Sequence, residues 1–391
     1  MKIFNKKKVI ITSLISIILL GTGSYIYYNS IPKEEPLIGA YIDGKYSNTL
    51  PTKNSGYVVE KIVCDNDASA SWDNDAWGIA LTNMTKRTKC NIYFETKKNS
   101  VNDVINEAVN TNSSMFASDD ADKNVRYIGA NPNNYVYFNC SDYTNPTADT
   151  CELWRIIGVF NNVTKSDGTK ENLVKIIRDE SIGNIVWNSN NANDWSTATL
   201  QQNLNSGTYY TTTLKNDTTR NAIEEIVWNL GGTWWKSYAS ASNGLARSNG
   251  LASRWYVYER GNDVYTGRPT TWTGKIGLMY PSDYGYATSG GTKKARAACL
   301  AKELYSWGGD SNLRDCSRND YLYNSKLYQW TMAHNSAYAN DVFGVDRDGG
   351  VDNFSAYLAP YAVRPALFLK SNIQVDKGIG AKSDPYQLKM Q

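Results

Sequence analysis

The chain carries a single histidine, His334, inside the stretch LYQWTMAHNSAYANDVFGVDRDGGVDN from Leu327 to Asn353. A histidine acts as general base when a nucleophile lies within hydrogen-bond reach and a third group orients it. Ser336 is close in sequence, but strand alternation gives the two side chains no reason to meet. His334 therefore reads as a strand-end or loop residue that hydrogen-bonds. Asp346, Asp348 and Asp352 surround Gly349-Gly350, and oxygen-rich loops bind calcium. Their spacing misplaces the glycine and terminal glutamate of an EF-hand. FGVDRDGGVDNF instead has the apolar alternation and Asp-Gly step of a tight β-hairpin. The hairpin is the expectation, with calcium at the three carboxylates as the alternative. Glu152, Glu259 and Asp283 lie near aromatic segments, yet a glycosidase mechanism depends on their separation in space. No catalytic residue is assigned.

The second set of candidates is aromatic. The chain has 12 Trp and 28 Tyr against 8 Phe, a bias that suits half-buried sheets and contact surfaces. Trp195 in NDWST, Trp234 and Trp235 in GGTWWKSY, and Trp272 in GRPTTWTGK are the candidate ligand-binding residues. An exposed indole stacks on the apolar face of a sugar while nearby Asn and Asp bond its hydroxyls. Trp154 and Trp330 fall in regular strand patterns and are assigned to the core. Arg364 precedes Pro365, which holds the arginine extended. Its five donors need partners once buried, so Arg364 reads as a structural clamp on a carboxylate or on loop carbonyls.

Elements must position these residues. Lys2, Lys6, Lys7 and Lys8 precede an apolar run from Val9 to about Tyr28. About 20 apolar residues suffice to cross a bilayer core as a helix. The basic flank predicts a cytoplasmic N-terminus and an exterior remainder. The run is long for a cleaved signal peptide and no small-x-small cleavage site follows it. An uncleaved signal-anchor in the cytoplasmic-membrane lipid is expected over 1–28. Without those four lysines the basic residues nearly equal the 38 acidic ones. A near-neutral exterior excludes wholesale phosphate neutralisation, so nucleic acid is not an expected partner.

Six cysteines fit an oxidising exterior. Sequential pairing, Cys64–Cys90, Cys140–Cys151 and Cys299–Cys316, is the expectation among many possible connectivities. After a spacer at 29–36, residues 37–98 read as a small disulfide-stapled β module with an Asp43-Gly44 turn. Residues 99–124 form a connector, in which Ser100 caps a helix placing Val101, Val104, Ile105 and Ala108 on one face. The main domain, 125–391, opens with strands NNYVYFNC, CELWRIIGVF and ENLVKIIRDESI. A helix with Leu200 and Leu204 follows, then one carrying Ile223, Ile226, Val227 and Leu230 before Gly231, then strand-like KIGLMYPSDYGYA. Terminal strands close an α+β chain without βαβ alternation.

ELWRIIGVF…LVKIIRDESIG, DWSTATLQQNLN, GKIGLMYPSDYGYAT and YQWTMA…VFGVDRDGGV…AVRPALFLKSN together resemble an uncharacterised domain of surface proteins from Gram-positive gut bacteria. That domain ends in a Val-Arg-Pro-Ala-Leu signature. The last part is also similar in layout to the formylglycine-generating-enzyme-like branch of the C-type-lectin-like fold. The resemblance covers roughly Asn134 to Gln387 and implies an irregular C-type-lectin-like domain outside the cell. The generating enzymes use a close pair of reactive, copper-binding cysteines near the C-terminus. Here Cys299 and Cys316 are separated within an irregular loop and no cysteine follows Cys316, so the resemblance brings no oxidase chemistry. The expected function is non-catalytic surface recognition of a glycan or protein. A cell-envelope enzyme and a structural envelope protein are the alternatives.

Overall fold

The computed structural model describes residues 9–10, 25–28, 37–53, 55–82, 88–96, 99–234, 250–357 and 361–390. The chain divides into two units, Met1–Lys98 and Asn99–Gln391.

In the first unit Leu37–Ile42 turns through Asp43-Gly44 into Lys45–Ser47, with positive φ at both turn residues. Such a turn matches the twist of a two-residue hairpin. Lys89–Thr96 pairs in parallel with Leu37–Ile42 and antiparallel with Tyr57–Cys64. Cys64 and Cys90 are register partners in that ladder and are disulfide-bonded. Trp77, Ile79, Leu81, Ile92 and Phe94 form the unit's core. The expected membrane helix ran to about Tyr28. Its ends are strands instead: Val9–Ile10 pairs with Tyr25–Tyr28, which runs parallel to Gly78–Thr82. Tyr25–Tyr28 is β-branched and aromatic in composition, which suits a pleated partner. The middle of the apolar run lies outside the described residues. No helix among the described residues is long and apolar enough to cross a membrane.

The second unit begins with the Val101–Thr111 helix. Ser100 caps it and Asp103 returns the bond to the Ser100 backbone, which satisfies orphan amides at both positions. Val101 and Ile105 bury against the main core, so this helix is part of the second unit and not a free connector.

The centre of that unit is the strand Glu152–Thr164, buried on both faces through most of its length. Among the described residues its sheet runs Ile276–Gly277, Ala366–Leu369, Lys170–Arg178, Glu152–Thr164, Tyr135–Phe138, Tyr386–Lys389, Gln374–Lys377. The long strand also pairs with Val125–Tyr127, beyond the stretch taken by Tyr135–Phe138. A second sheet orders Asn184–Ile185, Tyr361–Ala362, Gln329–His334, Asp341–Val345 and Val351–Ser355. Disulfides Cys140–Cys151 and Cys299–Cys316 complete the sequential pairing. The protein is a strand-rich α+β chain with three disulfides.

Two expected elements differ. The helix expected through Leu230 stops at Asn221, and Ile226–Asn229 is a strand against Thr271–Gly274. Ile226 and Trp228 are buried while Val227 and Asn229 are half-buried, the alternation of a strand. Within KIGLMYPSDYGYA only Ile276–Gly277 is a strand, and Pro281–Ala287 is a helix with Pro281 in its first turn. Proline's fixed φ suits that position, where its missing N–H costs nothing.

Candidate functional site

Strand register assembles the site. Arg126, Gly158, Lys175 and Phe368 are successive partners across four strands. Position 158 requires glycine, because a Cβ there would collide with the Val125 carbonyl oxygen. The two cations of the row consequently have no side chain between them.

Lys175 is fully buried, with Nζ 2.5 Å from Asp283 Oδ2. Tyr280 lies 4.5 Å and Trp228 5.3 Å from Nζ by ring centroid, with Phe160 and Phe368 slightly farther. Asp283 reaches this position because it stands in the first turn of the Pro281–Ala287 helix, where Oδ2 also accepts the Tyr280 N–H at 2.9 Å. Arg126 approaches Asp283 Oδ1 at 3.8 Å and forms an ion pair with Asp120. Burial raises the Asp283 carboxyl, but Lys175 and Arg126 outweigh it and hold the group below its usual range. Burial lowers both the Lys175 ammonium and the Arg126 guanidinium, against the pull of Asp283.

Glu259 ends the Ala252–Glu259 helix and is fully buried. Its Oε1 accepts the Ser282 N–H at 2.8 Å and its Oε2 accepts the Ser282 hydroxyl at 2.5 Å. Burial pushes this carboxyl up to about 7, despite Arg260 and the Ser282 bonds. Ser282, the residue before Asp283, thereby ties Glu259 to the turn that carries Asp283.

Above this cluster lies a pocket of about 270 Å³, just under the roughly 300 Å³ lower end of small-molecule sites. Phe160, Trp228, Tyr256, Tyr280 and Phe368 wall it, and Asn124, Asn161, Asn162, Thr164, Asn229 and Thr271 supply amides and hydroxyls. Its ionisable lining residues are already engaged. Asp122 Oδ2 accepts the Tyr256 hydroxyl at 2.6 Å, and the Arg260 guanidinium stacks 3.4 Å from the Tyr256 ring. Burial pushes the Tyr256 phenol up to about 12, so it stays a neutral donor.

The sequence candidates lie elsewhere. Trp195 is 1% exposed and packs against Trp187 and Trp272. Trp272 and Trp234 are half-buried, and Trp235 lies outside the described residues. Trp195 is thus core and shares no exposed face with Trp234 and Trp272. Indoles this large bury well when their rings meet edge to face. Trp154 and Trp330 are core as well.

His334 is 2% exposed, its Nε2 has no hydrogen-bond partner, and burial pushes it down to about 4. The Ser336 N–H bonds Thr233 O. Asp341–Val345 and Val351–Ser355 form the hairpin, and Gly349 takes positive φ in its turn. Asp346 Oδ1 accepts the Asp348 and Gly350 N–H groups, Asp348 pairs with Arg314 at 3.2 Å, and Asp352 accepts the Asn353 N–H. Among the described residues no group of three or more His, Cys, Asp or Glu side chains is placed to hold a metal ion. Arg364 donates to Arg178 O at 2.9 Å and to Leu322 O and Gln329 Oε1, both at 3.1 Å, so its partners are a strand-end carbonyl, a loop carbonyl and a side-chain amide. Glu152 serves Trp154 and Arg178.

Of the three carboxylates noted in the sequence, Glu259 and Asp283 converge and Glu152 does not. Lys175 and Arg126 were missed. The available signal for Lys175 was a lysine inside the apolar run LVKII, since an interior cation requires a partner. No protein-family model, curated protein or solved structure matches the chain.

Proposed function

We propose that the chain is an extracellular recognition protein whose pocket above Lys175 and Asp283 takes one sugar residue of a glycan. The observation that carries this reading is the lining itself: aromatic walls for the apolar face of a ring, amides and hydroxyls for its substituents. The ionisable residues of the lining already have protein partners, Asp122 and Arg260 at Tyr256 and Lys175 at Asp283, which suits holding a neutral ligand better than transforming it. Three disulfides and the basic flank ahead of the apolar N-terminal run support delivery to the outside. The Val363-Arg364-Pro365 step and terminal strands support the likeness to the Gram-positive surface domain and a C-type-lectin-like frame.

The test is a glycan array probed with the purified chain, followed by titration of the hits. Thr271→Ala and Asn229→Ala should each weaken binding about tenfold, the loss of roughly one hydrogen bond to ligand. Empty arrays, or hits that both substitutions leave untouched, would sink the reading. One observation favours an envelope enzyme instead: the Glu259 carboxyl at about 7 is suited to general acid–base work. Glu259 bonds Ser282, however, and is not part of the pocket lining.

A further inference from the structure

The Lys175–Asp283 contact has a chemical possibility that an ordinary ion pair lacks. Nζ stands 2.5 Å from Oδ2, both side chains are shut off from solvent, and four aromatic rings surround the amine. Asp283 Oδ1 has no hydrogen-bond partner. Two groups held in reach, in one orientation and away from water, react with the advantage of an intramolecular encounter. Exclusion of water also removes the reagent that would reverse an amide condensation. Burying a charged pair is costly, and condensation converts both charges into one neutral group.

We propose that Lys175 and Asp283 condense into an intramolecular isopeptide bond. Nζ attacks Cγ of Asp283, the Nζ–Cγ bond forms, and one Cγ–O bond breaks. Two of the three ammonium protons leave with that oxygen as water, and the third remains on the amide nitrogen. No oxidant, metal or outside proton donor enters the balance. Arg126 keeps Asp120 as its partner after Asp283 loses its charge. Glu259 acts as a positioning residue through its two bonds to Ser282, which fix the turn that carries Asp283. The product joins the Lys170–Arg178 strand to the Pro281–Ala287 helix and closes a loop spanning 108 positions. Lys175 also lines the pocket, but the bond is read from peptide mass and the glycan reading from binding, so either can fail without the other.

Tryptic digestion of the full-length, reduced and denatured chain, read by mass spectrometry, decides the matter. The expected product is a branched peptide in which residues 171–178, uncleaved after Lys175, are joined to residues 276–293. Its mass should fall short of the sum of the two peptides by one water. Lys175→Arg keeps the charge but removes the amine, and should yield only the linear peptides. Asp283→Asn should yield the same branched peptide as wild type, with ammonia expelled in place of water. Recovery of linear 171–175 and 276–293 from the wild-type chain, with no branched species, overturns the proposal. A loss of water that persists in Lys175→Arg overturns it too. The wild-type digest settles the question even where a variant fails to fold.

Discussion

Two regions of the second unit handle acidic side chains in opposite ways. Around Asp283, carboxylates and cations drawn from distant segments meet with almost no solvent: Arg126, Lys175, Glu259 and Asp283 are each 5% exposed or less. Around Asp346, carboxylates adjacent in sequence turn outward or onto the amides of their own turn. Burial raises Asp346 and Asp352 as well, but bonds within the hairpin work against it. Charge is costly in the first region and less so in the second, where the turn amides offset part of the burial. Long-range register makes the first, because Arg126 and Lys175 share a row through Gly158. Turn chemistry makes the second, because Gly349 supplies the positive φ the hairpin needs.

The sharpest way to break this contrast is to remove one buried partner. Lys175→Met leaves Asp283 without its main neutralising neighbour and should cost about 3–5 kcal/mol, measured as a shift in urea midpoint. The double variant Lys175→Met/Asp283→Leu should cost much less than the two single losses added together. Additive losses would mean that the two groups do not act as a pair.

Acid–base linkage supplies the next largest effects, with opposite signs at Glu259 and His334. Glu259 sits above its unfolded value, so its contribution is full below about 4.5 and is lost as pH rises through about 7. His334 sits below its unfolded value, so its contribution is present above about 6.5 and is lost as pH falls through about 4. Each amounts to about 3 kcal/mol across its window. Between pH 5 and 6.5 the slopes oppose each other, and the wild-type stability curve should be nearly flat there (roughly level by linkage). Glu259→Gln should expose a rising slope over that range and His334→Gln a falling one, both read from melting temperature against pH. Identical curves for wild type and both variants would refute the burial argument.

The hairpin should respond least. The Arg314–Asp348 pair is largely in solvent, so Asp348→Ala should change stability by about 0–1 kcal/mol. Added calcium or a chelator should leave the melting temperature unchanged. A calcium-dependent rise that Asp346→Asn abolishes would restore the ion site considered from the sequence.

Local order was legible in the chain wherever local chemistry decides it. Ser100 announces a capped helix, Asp43-Gly44 a hairpin, and Leu200 with Leu204 the buried face of Thr199–Asn205. The sequential cysteine pairing, one choice among many connectivities in the sequence, is the one the structure forms. Ile223 to Leu230 misled because apolar spacing there fits helix and strand alike, and the Thr271–Gly274 partner decides the outcome. Trp195 misled for a related reason: nothing local distinguishes a ring that meets other rings, as Trp195 does, from one that meets solvent. Convergence of Lys175, Glu259 and Asp283 depends on sheet register and two helix ends, which no short window of sequence contains.

Sheet order carries a further consequence for how the protein is born. Ala366–Leu369 lies between Ile276–Gly277 and Lys170–Arg178, one strand in from the edge of the sheet, although it comes almost last in the chain. A polypeptide emerging amino end first therefore waits through nearly its entire synthesis before that interior gap can be filled. Until then the flank of Lys170–Arg178 stays open to any passing strand. Shielding by a chaperone, or rapid threading to completion, is what this topology demands of the cell that makes it.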